Sequence, residues 1–366
     1  MNYLRTVLRS FVALQLLPAL EAASEETLIG GQAVLEGVMM RSPHAWGIAV
    51  RKTTGEIATH CEPLKRPAER RRWLAWPFVR GLVTLGQAMS LGFRALKFSA
   101  NVLLAGMSQE EAAKKSTAAS ATAASVDTTQ PQEQQRVEKP PELSGWLMAL
   151  NMVISIGFFI VMYKFLPLLA ATGLSHTWSA LNNNILFNLV DGLIRLLLFL
   201  LFIWGISLFA DIRRVYEYHG AEHKTVFAYE AKRDIPSIEF TQQFSTYHPR
   251  CGTSFLMTVM LISILVYAAV PITASGIRTG IFNHLFWYRF GLRVLLLPVI
   301  ASVSYEMIRF SAKHGRSLFA LLTKPGLWMQ RITTKQPKDD QVECAIKALD
   351  EAMNVEKTHG GELVIA

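Results

Sequence analysis

The chain has 366 residues, of which 51% are hydrophobic and only 18% are charged. Soluble proteins usually carry roughly 25% charged residues. Lysine and arginine exceed aspartate and glutamate by 37 to 28, so the net charge is +9. The three cysteines, Cys61, Cys251 and Cys344, cannot form a disulfide framework. This composition excludes a disulfide-stapled secreted protein, a wholly disordered chain and an ordinary soluble enzyme.

Residues 1–27 begin with Arg5 and Arg9, which precede the apolar run Phe11–Leu20. The pattern faintly resembles a signal peptide. Cleavage would export the basic segment that follows, against the usual distribution of positive charge. We therefore expect an uncleaved helical extension that lies on the membrane or on the protein.

Residues 28–80 predict a small cytoplasmic unit that contains β structure. Trp46–Lys52 and Glu56–Glu62 alternate apolar and polar residues around Thr53-Thr54-Gly55, which is typical of a β-hairpin. We expect Ala33–Met40 to add a third strand, preceded by the flexible pair Gly30-Gly31.

Residues 81–106 predict an amphipathic helix. Its polar stripe and its opposite apolar stripe recur at spacings of three and four residues. Such a helix suits the membrane interface, although a core helix of a cytoplasmic domain fits the pattern almost as well.

Two polar segments are expected to lie outside the folded core. Residues 107–144 are rich in Ala, Ser, Thr, Gln and Glu and have no aromatic residue, which indicates a flexible linker. Residues 311–366 are expected to form a solvated cytoplasmic tail, with a short helical pattern around Val342–Met353.

Four apolar runs within residues 145–310 predict transmembrane helices, because about 20 apolar residues span a bilayer. The runs are Gly145–Ala171, Ile185–Ala210, Arg250–Arg278 and His284–Phe310. The loop 172–184 contains no Lys or Arg, whereas the loop 211–252 contains six. The positive-inside rule then places this loop and both termini in the cytoplasm, at a bacterial inner membrane.

The predicted fold class is therefore a mostly α membrane protein. It has four transmembrane helices, a small N-terminal β unit and an interfacial amphipathic helix. Basic cytoplasmic loops account for the positive charge, so the expected partner is the lipid bilayer, with a possible protein partner, rather than nucleic acid.

Charged residues within the second run predict an ion pair. Asp191 and Arg195 are four residues apart with the acid first, which favours pairing on a helix. We favour a structural pair over a transport site, although intramembrane charges invite a functional interpretation. Arg289 and Arg293 could form a similar pair or extend toward the interface.

The loop 211–252 contains a candidate metal site. His219 and His223 are four residues apart, so both imidazoles project from one face of a helix, with Glu222 close to that face. The pattern His-x-x-Glu-His is the inverted zincin arrangement, in which two histidines bind zinc and the glutamate activates water. Histidine pairs at this spacing also occur as ordinary surface or capping residues.

His248 and Cys251 follow with the spacing of two ligands in a tight turn. With His219 and His223 they would offer three nitrogens and one sulfur, a donor set that suits Zn²⁺. If all four bind, the shell is closed and the ion is structural. If one does not bind, a water can occupy the open position, and Glu222 or Glu217 could act as its base. Alternatively, His248 and Cys251 merely cap the third span.

Three segments carry a family resemblance. They are Gly30–Arg41 (GGQAVLEGVMMR), Glu217–Lys224 (EYHGAEHK) and His248–Phe255 (HPRCGTSF). Together they resemble the YqhQ-like bacterial membrane proteins, over roughly Leu28–Thr323 without the linker. The family is commonly described as predicted metal-dependent enzymes. The resemblance implies a functional role for Glu36 and Arg41, but it supplies no substrate. It also implies a metal role for five residues, which are His219, Glu222, His223, His248 and Cys251.

These observations leave three hypotheses. The first is a metal-dependent hydrolase or related enzyme, and the second is a non-catalytic scaffold or assembly factor with a structural zinc. A transporter is third, because intramembrane charges are few. We also predict that Glu36 comes close to the metal loop and orients a metal-binding histidine, and that Arg41 binds an anionic substrate group or a loop carboxylate. A glycine-rich turn whose Glu36 faces solvent fits the same residues equally well.

Overall fold

The computed structural model describes residues 29–64, 71–122, 145–249, 251–269, 284–313 and 324–359. The predicted N-terminal extension and residues 123–144 of the predicted linker lie outside these ranges. So do residues 270–283, which connect the third and fourth apolar runs.

A four-stranded antiparallel sheet in the order β1-β2-β3-β4 forms the N-terminal unit. Its strands are β1 (Gly30–Val34), β2 (Gly37–Arg41), β3 (Ala45–Arg51) and β4 (Ile57–Pro63). The predicted hairpin is confirmed, since β3 and β4 pair with Arg51 opposite Ile57.

The prediction of one strand over Ala33–Met40 is wrong. The chain reverses at Leu35 and Glu36, so that Val34 of β1 pairs with Gly37 of β2. Glu36 has a φ of 54°. Two-residue hairpin loops need this left-handed backbone, which Asn-Gly or Asp-Gly usually signals. Leu-Glu carries no such signal.

Helix α1 (Val79–Thr122) covers one face of the sheet. Leu91 and Ala95 of this helix pack against the buried sheet residues Trp46, Ile48 and Val50. The amphipathic stripe at residues 81–106 therefore packs as a core helix, the alternative interpretation. The helix also continues past residue 106 to Thr122, into the segment expected as a linker.

The opposite face of the sheet is covered by α5 (Ala210–Lys232) and by α11 (Asp339–His359). The expectation of a solvated C-terminal tail is wrong, because Val342, Ala345 and Leu349 of α11 are fully buried in this core. Alanines dominate the buried stripe of α11, which lets the helix lie close to the strands but makes its apolar pattern weak in the sequence.

Apolar helices occupy the four predicted runs. They are α2 (Gly145–Ile160), which continues through the π-helical turn Val161–Phe165 into α3 (Leu166–Thr177), then α4 (Asn184–Ile206), α7 (Gly252–Ala269), α8 (His284–Leu295) and α9 (Leu297–Lys313). Among the described residues, three helices are long and apolar enough to cross a membrane, or four if the pair α8–α9, bent by 42°, is one span. The mostly helical class is confirmed.

Shorter elements complete the chain. They are the 3₁₀ turns Arg72–Ala75 and Ser179–Asn182, the helix α6 (Ile238–Gln242) and the helix α10 (Lys324–Thr333). Helix α5 begins only a few residues after α4 ends. It therefore carries the histidine motif directly from the apolar region to the sheet.

Candidate metal centre

Helix α5 and the start of α7 bring three possible metal ligands together. His219 and His223 lie on one face of α5, as their spacing predicts, with ring centroids 4.4 Å apart. Cys251 immediately precedes α7 and faces them. One ligand atom from each of the three residues lies within 4.8 Å of the others.

Backbone carbonyls fix the orientation of both imidazoles. His219 Nδ1 lies 2.8 Å from the carbonyl oxygen of Thr333, and His223 Nδ1 lies 2.5 Å from that of Thr246. A carbonyl can only accept a hydrogen bond, so both Nδ1 atoms carry the proton and donate. Both Nε2 atoms are then left with lone pairs, the state in which histidine binds a metal.

The Nε2 atoms of His219 and His223 lie near the sulfur of Cys251. His219 Nε2 lies 3.2 Å from Cys251 Sγ. His223 Nε2 is buried and has no hydrogen-bond partner among the described residues. A buried ring nitrogen of this kind is costly unless something binds it, so this donor set fits a metal ion.

Cys251 lies in a polar environment at the helix start. Its sulfur lies 3.4 Å from the Thr253 backbone N–H, which donates to it, and 3.1 Å from Thr253 Oγ1. These contacts hold the sulfur at the start of α7, where it faces the two histidines.

Glu222 lies beside the two histidines and is buried. Its Oε2 is 3.4 Å from His223 Nε2. Strand β1 makes this position possible, because a Cβ added at Gly31 would lie only 2.7 Å from Glu222 Cγ. Burial lowers the pKa of His223, but the Glu222 carboxylate and Cys251 outweigh it, and the net pKa is raised.

His248 lies outside the group of three. Its ring packs on Phe227 at 4.5 Å and lies 5.6 Å from the His223 ring, measured between centroids. Burial, with a smaller contribution from His223, lowers the pKa of His248 to about 4. The structure thus assembles three of the four predicted ligands.

Gln330 and Thr333 of α10 support the site, and neither was among the residues predicted from the sequence. The Gln330 side chain accepts from the His248 backbone N–H at 2.8 Å and donates to the His248 carbonyl at 2.7 Å and to Ser254 Oγ at 2.8 Å. Nothing local in the sequence of α10 signals these contacts, which bridge about 80 residues of chain.

A close approach explains the glycine within the histidine motif. A Cβ at Gly220 would lie 2.0 Å from the carbonyl oxygen of Lys335. The Lys335 N–H donates to the Tyr216 carbonyl at 2.9 Å, so the segment after α10 runs directly against α5.

Glu36 contacts α5, but through other residues than expected. It forms an ion pair with Arg214 and accepts a hydrogen bond from the Tyr218 hydroxyl at 3.3 Å. The role predicted for Glu36, accepting from a metal-binding histidine, is filled by the carbonyls of Thr333 and Thr246. Gly31, rather than Glu36, is the residue of the β1–β2 hairpin that adjoins Glu222.

The two other candidate residues lie near the same elements. Glu217 accepts a hydrogen bond from Gln341 of α11 at 2.9 Å. Arg41 ends β2, opposite Gly30 and Trp46 in the sheet. A substrate-binding role for Arg41 stays a prediction.

Comparisons with known proteins agree with the family resemblance. The family described as "Protein of unknown function (DUF1385)" matches residues 76–355, so the match extends beyond Thr323 into α11. The uncharacterized protein YqhQ of Bacillus subtilis (strain 168) is 33% identical over 329 residues, which cover 89% of this chain and 92% of that protein. No solved structure matches the chain significantly. On the extent of these two matches, the chain belongs to the YqhQ-like family.

Proposed function

We propose that the protein is an integral protein of the bacterial inner membrane with a divalent-metal site, preferentially for zinc, on its cytoplasmic face, and that it acts as a metal-dependent hydrolase-type enzyme. The observation that carries the metal site is the arrangement of His219, His223 and Cys251. Both histidines donate through Nδ1 to carbonyls, and both Nε2 atoms lie in the same group as the cysteine sulfur.

The number of ligands favours catalysis over a purely structural role. Structural zinc sites usually have four protein ligands, whereas catalytic sites have three and keep one position open. When bound by His219, His223 and Cys251, zinc would supply Lewis-acid chemistry at that position. Glu222, buried and 3.4 Å from His223 Nε2, can accept a proton there as a general base.

A scaffold with a structural metal is the second candidate. Hydrogen bonds that join the metal-site histidines to distant parts of the chain support this scaffold hypothesis. The His219–Thr333 and His223–Thr246 hydrogen bonds join α5 to α10 and to the loop before α7. A metal at this junction would stabilise the cytoplasmic unit without any reaction.

The first test measures the metal content of the full chain purified in detergent. We expect about one zinc ion per chain, with loss of zinc in His219→Ala and Cys251→Ser and retention of zinc in His248→Ala. His60→Ala, a half-exposed histidine on β4, serves as the control. Absence of zinc from the wild-type protein, or its retention after His219→Ala, would contradict the metal site.

The second test separates the enzyme from the scaffold without a known substrate. The protein is loaded with Co²⁺, and its visible absorption spectrum is followed during titration with azide. An open coordination position binds azide and the spectrum changes, whereas a closed four-ligand site leaves it unchanged. A Glu222→Gln variant should keep its metal and its azide response but lose the cellular function, if Glu222 is a base rather than a ligand.

A further inference from the structure

A second group of charged side chains lies within the apolar helices, well separated in sequence from the histidine motif. Lys164, Arg195, Arg289 and Arg293 are 7%, 2%, 4% and 2% exposed, and Asp191 is 1% exposed. They come from the π-helical turn between α2 and α3, from α4 and from α8. The suggestion that Arg289 and Arg293 extend toward the interface is wrong, because protein surrounds both side chains.

Four of these side chains, Lys164, Asp191, Arg195 and Arg293, form one network with Tyr267. Asp191 pairs with Arg195, as their spacing predicts, and also with Arg293. Lys164 Nζ donates to the hydroxyl of Tyr267 at 3.1 Å. The guanidinium carbons of both arginines lie 5.2 Å from the centre of the same tyrosine ring.

The network contains more positive than negative charge. Asp191 is the carboxylate that pairs with these basic groups in the described part of the chain. Arginine stays protonated in proteins. Even without Lys164, the three guanidinium groups outnumber the Asp191 carboxylate, which pairs with Arg195 and Arg293 but not with Arg289. Each uncompensated ion in a protein interior costs several kcal/mol, so a further negative charge is needed.

Unpaired N–H groups indicate where that charge belongs. Within the described residues, Arg195 Nε and two nitrogens of Arg289, Nε and Nη2, are buried without a hydrogen-bond partner. Arg289 instead packs over the ring of Phe187, with 5.1 Å from its guanidinium carbon to the ring centre. These donors are buried and lack an acceptor in the part of the chain that the structure describes.

The helix pairs α2–α3 and α8–α9 are both distorted next to the charged side chains. Lys164 lies in the π-helical turn Val161–Phe165, and Arg293 lies two residues before the end of α8, where the helix pair bends by 42°. Short π-helical turns occur often at functional sites, and bent spans in transporters surround ligand sites.

We infer that this cluster binds a phosphate group, carried by an anionic lipid or by a free phosphate ion. Planar guanidinium groups match the oxygens of a phosphate, and charge-assisted hydrogen bonds to it are strong. The ligand would supply both the missing negative charge and acceptors for the N–H groups of Arg195 and Arg289. This inference does not depend on the metal site.

The test uses the full chain in lipid discs and measures its melting temperature. One series uses phosphatidylcholine discs with increasing sodium phosphate at constant ionic strength, and another replaces part of the lipid by phosphatidylglycerol without phosphate. A ligand that binds only the folded state raises the melting temperature as its concentration rises. A rise in the first series identifies free phosphate, and a rise in the second identifies a lipid headgroup.

Arg289→Met is the informative variant. Arg289 Nε and Nη2 have no hydrogen-bond partner among the described residues, so replacing them by methionine breaks no hydrogen bond of these two atoms. We expect it to melt at or above the wild-type temperature without anion and to lose most of the anion-induced rise. Arg94→Met, which removes an exposed arginine paired with Glu62, should keep the full rise. If Arg289→Met does not fold, Arg289→Lys, which keeps one positive charge but loses the planar guanidinium group, should show a smaller anion-induced rise than the wild type. An unchanged wild-type melting temperature in both series, or an equal rise in Arg289→Met, would overturn the inference.

Discussion

Gln330 is the buried side chain that holds the loop before α7 in position. It is fully buried and forms hydrogen bonds with both backbone groups of His248 and with Ser254 Oγ. A leucine of similar size would remove all three of these hydrogen bonds, although the His248 carbonyl still accepts from the Cys251 N–H at 3.4 Å. Because His248 is only three residues from Cys251, the same change loosens the turn that positions the sulfur.

We expect Gln330→Leu to lower the free energy of unfolding by about 3 kcal/mol, because it removes three buried hydrogen bonds that each contribute roughly 1 kcal/mol. It should also weaken metal binding, although Gln330 is not among the ligands. Thermal unfolding and zinc content of the full chain measure both effects. Gln336→Leu, which removes an exposed glutamine with a single 3.3 Å hydrogen bond to Gln242, should change stability by less than about 0.5 kcal/mol. Similar losses in both variants would contradict this role for Gln330.

At the level of elements, α11 is attached to the sheet by a buried carboxylate near its C-terminal end. Glu356 accepts hydrogen bonds from Ser42 Oγ at 2.6 Å and from the His44 backbone N–H at 2.8 Å, and it pairs with His44 Nδ1 at 2.8 Å. Burial alone would raise the pKa of Glu356, but the hydrogen bonds from Ser42 and His44 lower it below its ordinary value. The ionised carboxylate therefore stabilises the folded state.

This stabilisation is complete above the ordinary glutamate pKa of about 4.3 and is lost as the pH falls below it. We expect Glu356→Gln to cost about 1.5–3 kcal/mol at pH 7, the range for hydrogen bonds to charged groups. The difference in melting temperature between wild type and variant should persist from pH 7 to about 4.5 and shrink as the pH is lowered further toward 3.5. Glu343→Gln, a half-exposed residue of α11 paired with Arg51, should cost less than about 1 kcal/mol. A pH-independent difference would show that the charge of Glu356 is not what matters.

Elements defined by local patterns could be predicted, and those defined by distant contacts could not. The hairpin β3–β4 follows from alternation around Thr53-Thr54-Gly55, and the His219–His223 pair follows from helical spacing. By contrast, the packing of α11 on the sheet depends on strands almost 300 residues earlier. The histidine orientation likewise depends on the Thr333 carbonyl, and a backbone acceptor leaves no trace in residue type. The hairpin at Leu35-Glu36 was missed because its turn lacks the usual Asn or Gly.

For the whole molecule, the packing of the sheet, α5 and α11 restricts the number of membrane crossings that the proposed membrane protein can have. The sheet precedes the first apolar helix, α5 lies between the second and third, and α11 follows the last. All three pack in one hydrophobic core, with Met40, Tyr218 and Leu349 among its members. They must therefore lie on the same side of a membrane. In a membrane protein an even number of crossings would then separate each pair, so we predict that the bent pair α8–α9 crosses as one span rather than returning to the side it came from.

This argument predicts the topology independently of loop charge. A reporter inserted at Asn182, between α3 and α4, should report the periplasm, whereas reporters at Arg233 and after Thr323 should both report the cytoplasm. The site after Thr323 is decisive, because three crossings would place it in the periplasm and separate α11 from the sheet. A cysteine pair at Cys61 and Glu351→Cys supplies an independent check, since the Cys61 sulfur lies 3.6 Å from the Glu351 carboxylate. We expect this pair to crosslink efficiently in intact membranes. Efficient crosslinking is incompatible with a periplasmic signal after Thr323. Such a periplasmic signal would refute the four-span arrangement.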